Sequence, residues 1–226
     1  MSENHDHHSH ASAHAPGDGE DPATFWERRY AGSERVWSGA VNSTLEIAIG
    51  DLPPGRSLDL GCGEGGDVLW LAERGWDAMG IDISPTAIDR AQARAARHGL
   101  DTAHFQVADL GDWQPAADSL DLVTASFFQS PVLLDRYGDL RRAAAGLVPG
   151  GRLVLLSHAA APSWSDVRSG DFPTPAEDVA ALDLPQEDWE IEVAETRSRT
   201  VQDPEGNPSE LLDGLVIARR RQVDPV

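Results

Sequence analysis

The chain has 226 residues and 40% hydrophobic content, the size of one ordinary domain with appendages. Its 38 acidic residues outweigh 18 basic ones for a formal net charge of -20, a field that repels phosphate backbones and argues against nucleic acid as a partner. Apart from His, every basic residue is Arg, and the absence of Lys excludes Schiff-base and phosphate-loop lysine chemistry.

No apolar run reaches the length of a membrane span, and the N-terminus is polar, so the sequence predicts a soluble cytoplasmic protein with no membrane partner. Residues 1–20 carry His5, His7, His8, His10 and His14 among small polar residues and read as a disordered tail. A loose His cluster lacks orienting partners, so no metal site is assigned. Residues 21–226 read as one domain that opens with two cap helices over 21–50. Asp21-Pro22 supplies the first N-cap and first helical residue, and Phe25, Trp26, Arg29 and Tyr30 follow on helical spacing to Gly32, with Phe25 expected in the core. After a turn at Val36-Trp37-Ser38-Gly39, Asn42 or Ser43 caps a second helix to about Ile49.

Leu58-Asp59-Leu60-Gly61-Cys62-Gly63-Glu64-Gly65-Gly66 reads as a buried strand breaking into a glycine-rich loop, and Asp67 to Glu73 resume as a helix. The glycines let a ligand approach the backbone, and the helix N-terminus faces the loop. Cys62 is the single cysteine; it forms no internal disulfide and its place suits packing. Glu64 is expected to be a solvated loop residue. From here short strands alternate with amphipathic helices, which argues for an α/β fold with a mostly parallel sheet and helices on both faces. Strands are expected at Ala78 to Asp82, Ala103 to Val107, Leu120 to Ala125 and Arg152 to Ser157, the last entered through a Pro149-Gly150-Gly151 turn. Helices are expected from Ser84-Pro85 to Gly99 and from Val132 to Leu147. A Pro-rich stretch from Ala161 to Pro175, a short helix near 176–182 and two final β segments, 189–195 and 214–220, complete the chain, and that last pair is expected to be antiparallel.

Gly61, Gly63 and Gly66 satisfy G-x-G-x-x-G, and Asp82 stands at the distance of a ribose acid, so an NAD-dependent dehydrogenase is one alternative. A dinucleotide site needs neither Asp59 inside the first strand nor Asp109 after the third, and it is not preceded by two helices. A non-catalytic cofactor-sensing or scaffold protein is a second alternative.

Together the Asp59-x-Gly61-x-Gly63-x-Gly65 loop, Asp82, Ala108-Asp109-Leu110, Asp121-Leu122-Val123 and Leu147-Val148-Pro149-Gly150-Gly151 resemble the class I S-adenosylmethionine-dependent methyltransferases. That resemblance implies a Rossmann-like seven-stranded methyltransferase sheet over 21–226, S-adenosylmethionine as cofactor and S-adenosylhomocysteine as product. It implies that Gly61 and Gly63, with Cys62 between them, meet the methionine portion, that Asp59 orients the loop and favours the ammonium, and that Asp82 takes the ribose hydroxyls. Asp109, Leu110 and Ile83 would hold adenine, and Ser126 and Trp37 would complete the cofactor site. Trp26-Glu27-x-x-Tyr30 with Val36-Trp37-Ser38 is similar to the small-molecule branch that includes thiopurine and tellurite-resistance methyltransferases.

The cofactor has no phosphate but carries a sulfonium and an ammonium, which suits a site rich in carboxylates. Phe127 and Phe128 after the fourth strand suggest an apolar acceptor pocket, and Trp26, Tyr30, His158 and Trp164 fall in segments able to cover its mouth. His158 is a candidate general base. The expectation is in-line methyl transfer to a small molecule, with a thiol or other soft nucleophile as acceptor, by a monomer or homodimer.

Overall fold

The computed structural model describes residues 19–160, 172–203 and 205–222. Expectations for the histidines of the tail, residues 5–14, and for Trp164 lie outside these residues. In chain order the elements are α1 (Pro22–Ala31), α2 (Ser43–Ile49), β1 (Arg56–Leu60), α3 (Gly66–Glu73), β2 (Asp77–Asp82), α4 (Pro85–His98), β3 (Ala103–Val107), β4 (Leu120–Ser126), α5 (Arg136–Ala144), β5 (Leu147–His158), α6 (Pro175–Leu182), β6 (Trp189–Gln202) and β7 (Pro208–Arg220). They build one seven-stranded sheet in the order β3-β2-β1-β4-β5-β7-β6. The first five strands run parallel, and β7 pairs antiparallel with both β5 and β6. The expected fold class therefore holds.

Successive side chains on a strand point to opposite faces, and β5 shows what this does to the core. Leu153 and Leu155 enter an apolar layer with Leu58, Leu60, Val123, Leu140 and Leu182, while Val154 and Leu156 enter a second with Leu45, Leu71, Trp76 and Ile88. Each such leucine contributes about 1.5–3 kcal/mol by leaving water. Burial on both faces is why Leu153 to Leu156 read as an unbroken apolar run. Leu58 and Leu60 face the α5 and α6 layer, so the alternation turns Asp59 toward the other layer, where it is buried in register with Thr124.

Local signals explain most boundaries. Ser84 caps α4 by accepting from the Ala87 N–H at 3.2 Å, Pro85 opens the helix, and Gly99 closes it in the left-handed region. Three expectations need correction. The helix expected over 132–147 is only Arg136–Ala144, because Asp135 caps it through the Gly138 N–H at 3.1 Å and the apolar residues before it belong to a loop. Strand β5 begins at Leu147, which pairs with Leu120; the next pair is Arg152 with Leu122, so Pro149, Gly150 and Gly151 form a bulge within the strand. Strands β6 and β7 span 14 and 13 residues, longer than expected, because the hairpin runs on to the pair Gln202 and Pro208 through residues too polar to read as a buried strand.

Candidate active site

Open parallel sheets bind ligands at the carboxyl ends of their strands, where Gly61, Gly63, Asp82, Asp109, Phe127 and His158 stand. β1 ends at Leu60, and the chain then turns through Gly61 at φ +64° and Gly63 at φ +52°. Both glycines are required by space as well as by angle. A Cβ on Gly61 would lie 2.8 Å from the Phe128 ring, and one on Gly63 would lie 2.8 Å from the Tyr30 hydroxyl. The Cys62 N–H donates to the Ile81 carbonyl at 3.0 Å, and its buried thiol packs where a Cβ on Gly80 would meet it at 2.7 Å, which is the packing role expected.

Asp82, at the end of β2, is buried and holds the loop: Oδ2 accepts from the Gly63 N–H and Oδ1 from the Ser84 N–H, each at 2.9 Å. Ser84 in turn donates to Glu27 of α1 at 2.6 Å, and Glu27 also accepts from the Thr86 N–H at 3.1 Å and from its hydroxyl. These bonds, the one from Ser84 foremost, hold the Glu27 carboxyl below its ordinary pKa. Thus α1 is tied to the α4 N-terminus one residue from the Asp82 cage.

α4 grips the N-terminal segment along one face. Arg90 donates to Glu64 at 2.9 Å, to the Tyr30 carbonyl at 3.1 Å and to the Ser33 carbonyl at 2.6 Å. Arg94, one turn on, donates to the carbonyls of Glu64 and Gly39 at 3.1 and 2.9 Å. Glu64 is therefore not the solvated residue expected: it is 5% exposed, paired with Arg90, and accepts from the Val36 and Trp37 N–H groups. Trp37 is exposed on one side and donates its indole N–H to Tyr30 at 2.9 Å, so the two aromatics stand together over Gly63.

At the end of β4, Phe127 adopts φ +54°, a left-handed conformation that costs a bulky residue on the order of 1–3 kcal/mol. Its ring stacks on His158 at 4.2 Å between centroids, and the Arg199 guanidinium of β6 lies 5.6 Å from the same ring. Phe128 packs into the core beside Gly61. Trp26 donates to Ser130 at 3.2 Å, which brings α1 onto the segment after β4. Asp109 and Leu110 follow β3: Asp109 is exposed and accepts from the Gly111 N–H at 2.8 Å, and Leu110 is half-buried with its carbonyl held by Arg142. Ile83 is half-buried between Asp82 and Ser84.

Residues 58–151 match a family model described as a methyltransferase domain. Those residues are therefore similar to a methyltransferase domain, in agreement with the resemblance of the motifs they contain. Among its relatives, the 2-heptyl-1-hydroxyquinolin-4(1H)-one methyltransferase of Mycobacteroides abscessus is 32% identical over 140 residues, covering 61% of this chain and 60% of that one. The ribosomal RNA small subunit methyltransferase C of Chromohalobacter salexigens is 33% identical over 140 residues, covering 59% of this chain and 41% of that one. The chain thus spans less than two thirds of the length of either. A solved structure from work on the conversion of a disulfide bond into a thioacetal group during echinomycin biosynthesis superimposes with a TM-score of 0.67 at 25% identity, covering 88% of this chain and 93% of that one. The match of residues 58–151 to a methyltransferase domain favours that reading over the dinucleotide alternative left open by the glycine spacing.

The buried acids of the site bear on its fit to S-adenosylmethionine, which is positively charged at sulfur and nitrogen. Asp59, Asp67 and Asp82 are all buried, and among the described residues none of them pairs with an arginine. Burial pushes Asp59 well above the usual carboxylate range, and the nearby Asp67 adds to this, against a 2.7 Å hydrogen bond from Thr124. Burial likewise raises Asp67, which accepts from the Asn42 N–H at 3.2 Å, and raises Asp82 against the N–H groups that cage it. Ser126 lies near enough to Asp67 to lower its carboxyl, yet its buried hydroxyl makes no bond of normal geometry. Buried carboxylates beside an unpartnered hydroxyl suit a ligand that brings its own positive charge. The residues fit the cofactor.

Sequence reasoning missed Asp67, Glu27 and the role of Glu64. An acid in the first turn of a helix reads as a partner of the helix dipole, and nothing local shows that Asp67 lies under the loop. Glu27 acts across 57 residues of chain, a separation no local pattern reports.

Proposed function

We propose that the protein transfers the methyl group of S-adenosylmethionine to a small, partly apolar acceptor, with a thiol as the preferred nucleophile. The observation that carries this reading is the set of buried acids at 59, 67 and 82 around the glycine loop, with no arginine paired to them among the described residues. When bound, the cofactor supplies an electrophilic methyl group on a positively charged sulfur. Asp59 and Asp67 balance positive charge at the loop, the Gly61 and Gly63 backbone admits the ligand closely, and Asp82 presents its remaining lone pairs to hydroxyl groups. The apolar rings of Phe127 and Phe128 support exclusion of water from an attacking nucleophile.

Burial lowers the His158 pKa, so at neutral pH its ring is uncharged, stacked on Phe127 and sandwiched in the site wall. A thiolate needs no proton taken during transfer, so the reaction does not depend on this histidine as a base. The net charge of -20 and the lack of Lys favour a small molecule over RNA, despite the ribosomal RNA relative. We read the protein as cytoplasmic and as a monomer or homodimer; among the described residues no helix is long and apolar enough to cross a membrane.

Methyl-transfer assays over a series of thiols of graded acidity test the proposal. The rate should rise with each thiol's own ionisation and survive His158→Ala within about tenfold, ~1.4 kcal/mol. Transfer confined to nitrogen, oxygen or RNA acceptors would refute the thiol. Cofactor binding without transfer to any acceptor would favour the non-catalytic alternative.

A further inference from the structure

An open cavity of about 540 Å³ lies beside the end of β4, its wall including Gln129, Ser130, Val132, Leu134, Tyr137 and Phe172. That is ample for a small organic ligand. The cavity belongs to the acceptor side by chain and by contact. Gln129 and Ser130 directly follow the two phenylalanines, Ser130 is bonded to Trp26 of α1, and the Phe172 ring stands edge-on to His158 at 6.0 Å.

Two amphoteric groups in this wall have had their accepting capacity taken by the protein. The Gln129 side-chain oxygen accepts from the His158 backbone N–H at 2.9 Å, which fixes the orientation of the amide and leaves its NH₂ as the open end. The Ser130 oxygen accepts from the Trp26 indole N–H and from the Val132 N–H, both at 3.2 Å, so both lone pairs are used and only the O–H remains. Among the described residues nothing accepts from either group. Tyr137 donates to Asp178 at 2.8 Å and the Arg136 charge is balanced by the same carboxylate at 2.6 Å, although the buried Arg136 Nε has no partner among the described residues. Glu177, at the rim, places a negative charge there. Apart from the Glu177 carboxylate, the free polar side-chain groups of the described wall are donors set among apolar side chains, which suits an uncharged oxygen with lone pairs on an apolar body.

We propose that Gln129 and Ser130 determine acceptor specificity by donating hydrogen bonds to a neutral carbonyl-type oxygen of an otherwise apolar, ring-sized molecule. This deepens the small-molecule reading above and rests on it. Both donors belong to one short segment that is anchored at each end, by β5 through His158 and by α1 through Trp26, so the pair is oriented before the ligand arrives. Such preorganisation removes part of the ordering cost of binding.

The test uses the full chain loaded with S-adenosylhomocysteine and two probes matched in shape, naphthyl methyl ketone and ethylnaphthalene, titrated by saturation-transfer NMR. The ketone should bind at least about tenfold more tightly, the equivalent of ~1.4 kcal/mol. Gln129→Glu keeps an oxygen for the His158 N–H but removes the donors, and should bring the ratio of the two affinities close to one while leaving ethylnaphthalene unchanged. Ser130→Ala should lower the ratio by a smaller factor and serves if Gln129→Glu fails to fold. Equal binding of the probes by the wild-type chain, binding of neither, or an unchanged ratio in both variants would overturn the proposal. Calorimetry with S-adenosylhomocysteine alone separates the two readings, since its failure to bind would instead overturn the methyltransferase reading.

Discussion

Removal of the Asp82 carboxylate is expected to weaken the cofactor and to loosen the loop at the same time, because the carboxylate already holds two backbone N–H groups. In Asp82→Ala the N–H of Gly63 and that of Ser84 lose acceptors that stand 2.9 Å away. Each buried donor left unsatisfied costs about 1–3 kcal/mol, partly recovered by water, so the fold should lose roughly 2–4 kcal/mol. The ligand loses one or two hydrogen bonds to a charged acceptor, again about 2–4 kcal/mol, which raises the dissociation constant by about 30- to 1000-fold. Calorimetry with S-adenosylhomocysteine measures the second term, and urea denaturation of the ligand-free protein measures the first. A folded Asp82→Ala protein with an unchanged dissociation constant would show that the ribose lies elsewhere, and an unchanged denaturation midpoint would show that the loop does not depend on this carboxylate.

Three further outcomes follow from the same geometry. Because burial raises Asp59 and Asp67 above the usual range, the free protein retains a proton there to higher pH than an ordinary carboxylate would; an arriving ammonium favours the ionised form, so binding releases a proton and tightens as pH rises from the ordinary value of 3.8 through the raised pKa. Calorimetry in two buffers of different ionisation enthalpy reads this directly, and an absence of proton release across that window would contradict it. Glu27→Ala removes the acceptor for Ser84 and both Thr86 donors, so we expect a stability loss of about 1–3 kcal/mol and faster proteolysis near α1; wild-type protease resistance would count against the clamp. Glu64→Gln should raise the cofactor dissociation constant severalfold by unpairing Arg90, with Glu64→Asp intermediate between it and the wild type. Equal affinities across the three would assign Glu64 to the fold alone.

The sequence made the strand order's raw material and the loop legible because they depend on neighbours in the chain. Glycines at 61 and 63 announce positive φ, Ser84-Pro85 and Gly99 bracket α4, and acids at strand ends fall where an open sheet binds ligands. What stayed hidden depends on residues distant in the chain. Glu64 looks like any loop carboxylate until Arg90 is brought to it, and Gln129 and Ser130 look like ordinary polar residues until His158 and Trp26 occupy their acceptor sites. The β5 bulge was hidden differently: Pro149-Gly150-Gly151 carries the signature of a turn, and only the pairing of Leu147 with Leu120 makes it an interruption within a strand.

Thr86, Arg90 and Arg94, four residues apart on α4, fasten residues 27–39 through hydrogen bonds rather than through a broad apolar face. Each such bond contributes only about 0.5–1.5 kcal/mol net of water, and Tyr30 is the buried large hydrophobic residue that detachment of the segment exposes. The segment therefore opens at a free energy well below that of the β4 and β5 core, and its opening responds weakly to denaturant, since that response scales with exposed area. The Val36 and Trp37 amides, which rest on Glu64, should exchange with deuterium long before those of Leu153 and Leu155. With the ligand placed as proposed, beside Tyr30 and Trp37, its release is expected at the rate at which this strap lifts, while the sheet beneath stays folded.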